Sequence, residues 1–333
     1  MATNILSRGD AGALIPEDVS KEIIQGIPAA SAALSQLRKL PNMPSAKTRM
    51  PVLSALPSAY FVTGEPGDGT AGIRGQKQTT KQAWANKYLN AEEIACILPL
   101  PEAVLDDVNY DIWGEIKPRI AEAFGVAIDG AIFFGTNKPA AWPDGIVPSA
   151  IAAGNSVALG TGTDIYDDIM GEGGVLSLVE LAGFGVTGHV ADLTMKAKLR
   201  GLRDSNGIPI FVKSMSDKTG YELDGSPITF PENGAWDADE ALMVSGKFSE
   251  AVYAMRKDIT YKVLTEAVIQ DNEGNIVYNL AQQDMVAPRC VMRLAWQVPN
   301  PINRLKATEG GKVGVGGADV VGRYPFAVLT PAS

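Results

Sequence analysis

Histidine occurs once in these 333 residues, at His189, and cysteine twice, at Cys96 and Cys290. A Ser-His-Asp or Cys-His relay would have to run through His189. That residue lies between Gly188 and Val190 at an expected strand end. We read it as structural or solvated, and expect its replacement by alanine to leave stability nearly unchanged. No Cys/His cluster has metal-site spacing. The two cysteines sit in apolar alternating stretches and read as buried free thiols, not as a disulfide framework. Long apolar runs are missing as well. The longest, Ala121 to Phe134, is interrupted by Glu122, Asp129 and glycines, so it cannot span a bilayer. The opening MATNILSRGDAGALIPED holds no apolar signal-peptide core. A basic surplus is also lacking. There are 29 Lys and Arg against 38 Asp and Glu, a formal net charge of −9. Sequence-independent gripping of nucleic acid needs clustered cations and is excluded. The composition implies no cofactor, no metal, no membrane and no enzymatic function.

What is present is glycine (35) and proline (21), which suit a loop-rich chain of strands and turns. The length exceeds the roughly 250–300 residues at which one core stops growing, so two lobes are expected. Several suggestive clusters are discounted. Asp164, Asp167 and Asp168 mark a charged helix start, with Thr163 as N-cap, more readily than a metal site. Lys196, Lys198, Arg200 and Arg203 read as a solvated helix face. Gly314-Val-Gly-Gly-Ala-Asp319 lacks the strand, helix and third glycine of a dinucleotide loop. The acidic turn at Asp271 lacks the ligand alternation of a calcium loop.

The most informative stretch runs from Asp111 to Val147. Ile112, Ile116, Ile120, Phe124, Ile128 and Ile132 form an i, i+4 ladder, the stripe of a helix that packs along its whole length. Such a helix would be roughly 36 Å long. Pro118 is expected to kink or restart it, and Gly135 to end it. Upstream, a long hairpin is expected within 58–98. Gly64, Gly67, Gly69, Gly72 and Gly75 crowd its tip, and Trp84 to Asn90 alternate as a returning strand of mixed faces. A two-stranded hairpin is marginal alone, so it should draw stability from another subunit.

These features resemble the tailed-bacteriophage major capsid proteins of the Hong Kong 97 fold. The helix ending AIDGAIFFGTNKPAAWPDGIV resembles that family's spine-helix end with its Pro-x-Gly-aliphatic turn. Gly12–Leu53 is similar to its N-terminal arm, and Ser58–Asp107 to its extended loop. Val190–Phe211 is similar to its helix with a Leu-basic-Asp-polar-Gly turn. ALMVSGKFSEAVYAMRKDITYKVLTEAVI and QQDMVAPRCVMRLAWQVPNP resemble its late strand pair and closing strand.

The resemblance implies an α+β fold. It divides the chain into an N-terminal arm (1–50), an extended β-hairpin loop (51–98), and a peripheral domain with the spine helix (99–136). An axial α/β domain (137–245) follows. Peripheral strands and a closing strand (246–303) come next, part of which returns to the axial domain. A C-terminal extension (304–333) lies outside the common pattern, with one last strand expected at Arg323–Leu329. It implies a structural subunit that assembles through pentamers and hexamers into an icosahedral head around double-stranded DNA, without sequence-specific DNA contacts. Portal, scaffolding and decoration proteins are the implied partners. The implied location is the virion capsid, assembled in the host cytoplasm. An encapsulin-like nanocompartment shell is the alternative. Tyr60, Phe61, Lys77, Lys81, Trp84 and Tyr88 are the candidate intersubunit contacts.

Overall fold

A single helical spine organises the molecule, seen in a computed structural model that describes residues 31–57, 59, 79–103, 112–202, 221–302 and 323–332. The spine is α-helical from Ile112 to Asp129 and widens into a π-helical turn, Gly130–Phe134. The ladder packs as its spacing requires: Ile120, Phe124, Ile128 and Ile132 are each at most 5 % exposed. No second segment starts at Pro118. The helix runs through it, and Pro118 faces solvent, where water can satisfy the carbonyl that loses its donor. At the far end the π turn places the adjacent Phe133 and Phe134 both against Trp236, with ring centroids 5.3 and 5.2 Å away. Gly135 then stops the helix in the left-handed region (φ 75°). The chain returns so that Gly145 lies against Gly135; a Cβ on Gly145 would stand 2.5 Å from the Gly135 nitrogen. Only glycine fits there, and Ile146 and Val147 follow it fully buried.

The spine also anchors the arm. Asp129 is a charged residue in the middle of an apolar stretch, 2 % exposed. Its carboxylate accepts hydrogen bonds from Ser31 Oγ (2.5 Å), Ala32 N (2.9 Å), Ala33 N (3.0 Å) and Asn233 Nδ2 (2.6 Å). Two of these donors are the first backbone N–H groups of the arm helix, Ala32–Gln36, which has no helical acceptor for them. Burial pushes the carboxyl's pKa up, and the four donors pull it back down. One side chain therefore joins arm, spine and the loop around residue 233.

Two sheets flank this spine. In the first, Val252–Leu264 (β11) and Met285–Gln297 (β14) form a long antiparallel ribbon. Glu92–Ile97 (β4) lies on the other side of β14, and Leu100–Pro101 (β5) pairs with its start. Arg38–Lys39 (β1) runs parallel to the first residues of β11. The inward residues Met292, Leu294 and Trp296 meet the spine helix, as their alternation predicts. The opposite face, through Ala254 and Ala295, covers Met43 and Leu89.

The second sheet has the order Ser156–Ala158 (β6), Phe326–Thr330 (β15), Met243–Gly246 (β10), Gly188–Ala191 (β7), Ser226–Thr229 (β9), Glu222–Leu223 (β8). Helices Ile165–Met170, Val175–Leu181 and Met195–Arg200 cover it through Ile169, Val175, Val179, Met195 and Leu199. The last strand expected at Arg323–Leu329 is present, and it builds that part of the C-terminal extension into the lobe. Phe326, Ala327, Val328 and Leu329 are all fully buried, β15 being held between β6 and β10. A run of four apolar residues is what a strand covered on both faces requires. Residues 303–322, including the Gly314–Asp319 motif, lie outside the described residues, as does the expected turn at 204–207.

The hairpin is also bounded differently. Its described strands are Lys47–Ala55 (β2) and Ala83–Asn90 (β3), paired from Lys47 with Asn90 to Ala55 with Ala83. Residues 92–97, assigned to the loop by sequence, belong instead to the first sheet, where Ile94 and Cys96 pack against its core. A further two-stranded hairpin, Val268–Gln270 (β12) and Ile276–Asn279 (β13), extends beyond the long ribbon.

Candidate intersubunit surfaces

The β2–β3 hairpin has one inward and one outward face. Val52, Ser54 and Leu89 are buried on the inner side. On the outer side Arg49 stands opposite Tyr88 and Leu53 opposite Trp84. Trp84 is 63 % and Tyr88 42 % exposed, and the Lys47 ammonium lies 4.2 Å from the centre of the Tyr88 ring. The mixed faces expected from composition are thus resolved by burial: the outer face is basic and aromatic, the inner one apolar. Lys47 and Arg49 stand on the outer face and Lys81 precedes β3, whereas Lys87 lies on the inner face opposite Met50 and donates to the Val298 carbonyl (3.4 Å); the described part of the hairpin holds no Asp or Glu. Of the six candidate contacts, Lys81, Trp84 and Tyr88 are on this hairpin, all exposed. Tyr60, Phe61 and Lys77 lie outside the described residues.

The β12–β13 hairpin was missed by sequence reasoning except for its turn. That turn is built by Asp271, whose carboxylate accepts from the backbone of Glu273 (2.9 Å) and Asn275 (2.8 Å) and from Asn275 Nδ2 (3.1 Å). These donors hold its pKa below the usual carboxylate range. Val268, Ile276, Val277 and Tyr278 are exposed around it, a local cluster where scattered single residues would be ordinary. The signal was available in the sequence: four large β-formers flanking an Asp-Asn-Glu-Gly turn, with no buried partner left to claim them.

The remaining chemistry is structural. Asp164 caps the 165–170 helix in the place expected for Thr163, accepting from Tyr166 N and Asp167 N. Asp168 is buried and accepts from Gly160 N (2.7 Å) and Gly162 N (2.6 Å). Among the described residues no group of His, Cys, Asp and Glu is placed to hold a metal ion. Of the two roles read for His189, structural or solvated, the structure shows the structural one, and it corrects the expected indifference to alanine, because the residue is fully buried inside β7. Its Nε2–H donates to the Leu223 carbonyl (3.1 Å), which fixes the tautomer, and Nδ1 accepts from Ser245 Oγ (2.8 Å). Burial pushes its pKa down to about 4, so it is neutral at pH 7. Cys96 and Cys290 are unpaired although they face each other across β4 and β14. Cys290 is buried as expected and its thiol is pushed up to about 12 by burial; Cys96 is partly exposed.

A spine helix, a long ribbon beside it, a six-stranded lobe and outward hairpins define a Hong Kong 97-type α+β fold, a class of shell-building subunit. The chain belongs to the phage capsid family, whose model matches residues 11–308. It is similar to the major capsid protein of Staphylococcus phage 80alpha, 27 % identical over 272 residues, or 80 % of this chain and 76 % of that protein. A solved chain of Microbacterium phage Oxtober96 is 38 % identical with a TM-score of 0.74, over 98 % of this chain and 99 % of that one. A chain of Mycobacterium phage Adephagia is 29 % identical with a TM-score of 0.73, over 99 % of each.

Proposed function

We propose that this chain is the major capsid protein of a tailed phage, building an icosahedral head from pentamers and hexamers around double-stranded DNA. The observation that carries the reading is the exposed basic and aromatic face of β2–β3 on a subunit of the phage capsid family. Trp, Tyr and Arg are the residue types enriched in interface cores, and a two-stranded hairpin gains most from a neighbour that covers it. Each such contact can be weak, because many of them closing one shell give high avidity. The role is structural, and the acidic balance suits a container that must not grip its DNA. Portal, scaffolding and decoration proteins are the expected partners, and the host cytoplasm the expected place of assembly. Relatives named as phage capsid proteins favour this reading over an encapsulin-like compartment.

Negative-stain microscopy of the purified protein tests it. Closed shells or capsomer rings are expected, and a stable monomer at tens of micromolar across several salt conditions would overturn the reading. Replacing Trp84 and Tyr88 together with serine should leave the subunit's melting unchanged while shell yield collapses.

A further inference from the structure

We propose that Cys96 and Cys290 close into a reversible cross-strand disulfide when the subunit meets a small-molecule disulfide oxidant, stapling β4 to the long ribbon. In the structure both thiols are free. The two residues are direct partners in the β4–β14 ladder, and the register runs without a slip from Arg289 opposite Ile97 to Leu294 opposite Glu92. Directly opposed residues of an antiparallel pair lie about 4.5 or 5.5 Å apart at Cα, and a disulfide spans about 4.4–6.8 Å. Both side chains stand on the same face of the sheet: Cys290 belongs to the spine core, and Cys96 packs against that core. Tyr261, opposite Cys290 on its other side, packs there too. The buried thiol is thus flanked by a phenol on one side and by Cys96 on the other. Cysteine occurs nowhere else in the chain, so no other bond within a subunit competes.

The two thiols differ in access, which sets the order of the reaction. Cys290 is fully buried, whereas Cys96 is partly exposed. The Cys96 thiolate attacks one sulfur of oxidised glutathione; that S–S bond breaks, one glutathione thiolate leaves, and a mixed disulfide forms at Cys96. The Cys290 thiolate then attacks the Cys96 Sγ and expels the second glutathione thiolate. Two protein thiols give up two protons and two electrons, and one oxidised glutathione becomes two reduced ones. Burial first, and the neighbouring Cys96 second, push the Cys290 thiol up to about 12. Capping Cys96 removes the second cause, so the first step eases the other. Opposed Cβ atoms lie about 4.5–5.5 Å apart and a disulfide prefers about 3.5–4.5 Å, so closure draws β4 toward β14 by about 1 Å. Among the described residues β4 has a sheet neighbour on one side only, which lets it follow. The strain left in such a bond keeps it reducible, as a reversible staple requires. The chemistry depends on the fold alone. Its use, hardening a shell that has left a reducing cell interior, rests on the shell-forming reading above.

Oxidation of full-length folded subunits with oxidised glutathione at pH 8 tests the staple, read by intact mass and by peptide mapping without reductant. A loss of about 2 Da per chain is expected, with a peptide joining residue 96 to residue 290, both reversed by a dithiol reductant. The oxidised subunit should melt about 3–6 °C higher, and the amides of residues 92–97 should exchange more slowly. Cys96→Ser, a change at a partly exposed site, should show none of these and should melt as the reduced wild type does. A glutathione adduct that stays on Cys96, covalent dimers through Cys96, or thiols left unreacted after a day would each overturn the proposal. A linked peptide that arises only in urea would overturn it too, because the folded register would then not be what pairs the thiols. If the chain forms no shells, the shell reading fails, and the staple is still decided on the subunits. If shells form and oxidise but resist heat no better than reduced ones, the proposed use is overturned.

Discussion

Replacing Asp129 with alanine should detach the arm from the spine. The carboxylate takes four donors, and three of them belong to the arm. Ser31 Oγ still has rotational freedom, and Asn233, which is only partly buried, can turn toward water. The N–H groups of Ala32 and Ala33 cannot turn, and both residues are buried. Each buried donor left unmade costs about 1–3 kcal/mol. Part of that loss is offset, because the ionised carboxylate is itself penalised by burial, which is why its pKa is raised. The net expectation is a loss of about 3 kcal/mol, near the low end for breaking a buried charged network. Urea unfolding of dissociated subunits gives the total. Hydrogen exchange across residues 31–40 tells where it acts, since the arm helix should lose protection before the spine does. A double-mutant cycle with Ser31→Ala should return a coupling above about 1 kcal/mol. A loss under about 1 kcal/mol, or a full loss with arm protection unchanged, would refute the argument that Asp129 holds the arm.

Four further outcomes are expected. His189→Ala should cost about 2–4 kcal/mol, because it opens a cavity and strips Ser245 and Leu223 of their buried partner. A wild-type urea midpoint would contradict that. With a folded pKa of about 4 against 6.5 unfolded, His189 favours folding fully above pH 6.5 and loses about 3 kcal/mol as pH falls to about 4. Asp129, with a raised folded pKa, takes up its proton first in the folded state and opposes that loss; in His189→Gln the loss between pH 6.5 and 4 should disappear, leaving the opposite trend of Asp129. Gly145→Ala should destabilise by about 3 kcal/mol, since its Cβ would press on the Gly135 nitrogen and the Phe133 carbonyl, backbone atoms with no room to give; an unchanged melting temperature would show that the turn relaxes freely. A thiol reagent at pH 8 should label Cys96 in folded subunits and reach Cys290 only on unfolding, as mass spectrometry of the labelled peptides can check.

The helix ladder was legible because one period governs eighteen residues, and packing obeyed it from Ile120 to Ile132. The strand alternation at Met292, Leu294 and Trp296 was legible for the same reason. Asp129 was read only as an interruption of an apolar run, because its partners lie 96–104 residues away and no local pattern announces them. The last strand was legible as a strand, but FAVL is a short apolar run without a period, so its place inside a sheet was not. Its burial comes from β6 and β10, both remote in sequence. His189 was placed at a strand end by its glycine neighbour. The sheet runs on to either side of β7, so the imidazole is enclosed. At the candidate surface, Trp84 and Tyr88 were placed on one face by alternation alone, whereas the presence of Lys47 and Arg49 on that same face became visible only once β2 and β3 were paired.

The long ribbon has a mechanical consequence. Its pairing slips between Met255 and Lys257 and again between Lys257 and Thr260, and such bulges are where a twisted ribbon bends most readily. On the near side β11 is clamped: Val252 to Met255 are buried, Tyr253 and Met255 in the spine core and Ala254 on the opposite face against Met43 and Leu89. On the far side the strand continues from Lys257 to Leu264, about 23 Å at strand rise. It is a lever with a built-in fulcrum. A flexure of about 5° at the bulges swings its end by about 2 Å, more than the tolerance of a packed contact. One sequence can therefore present the same tip chemistry at slightly different angles, and curvature becomes a property that a subunit adjusts without altering what it touches.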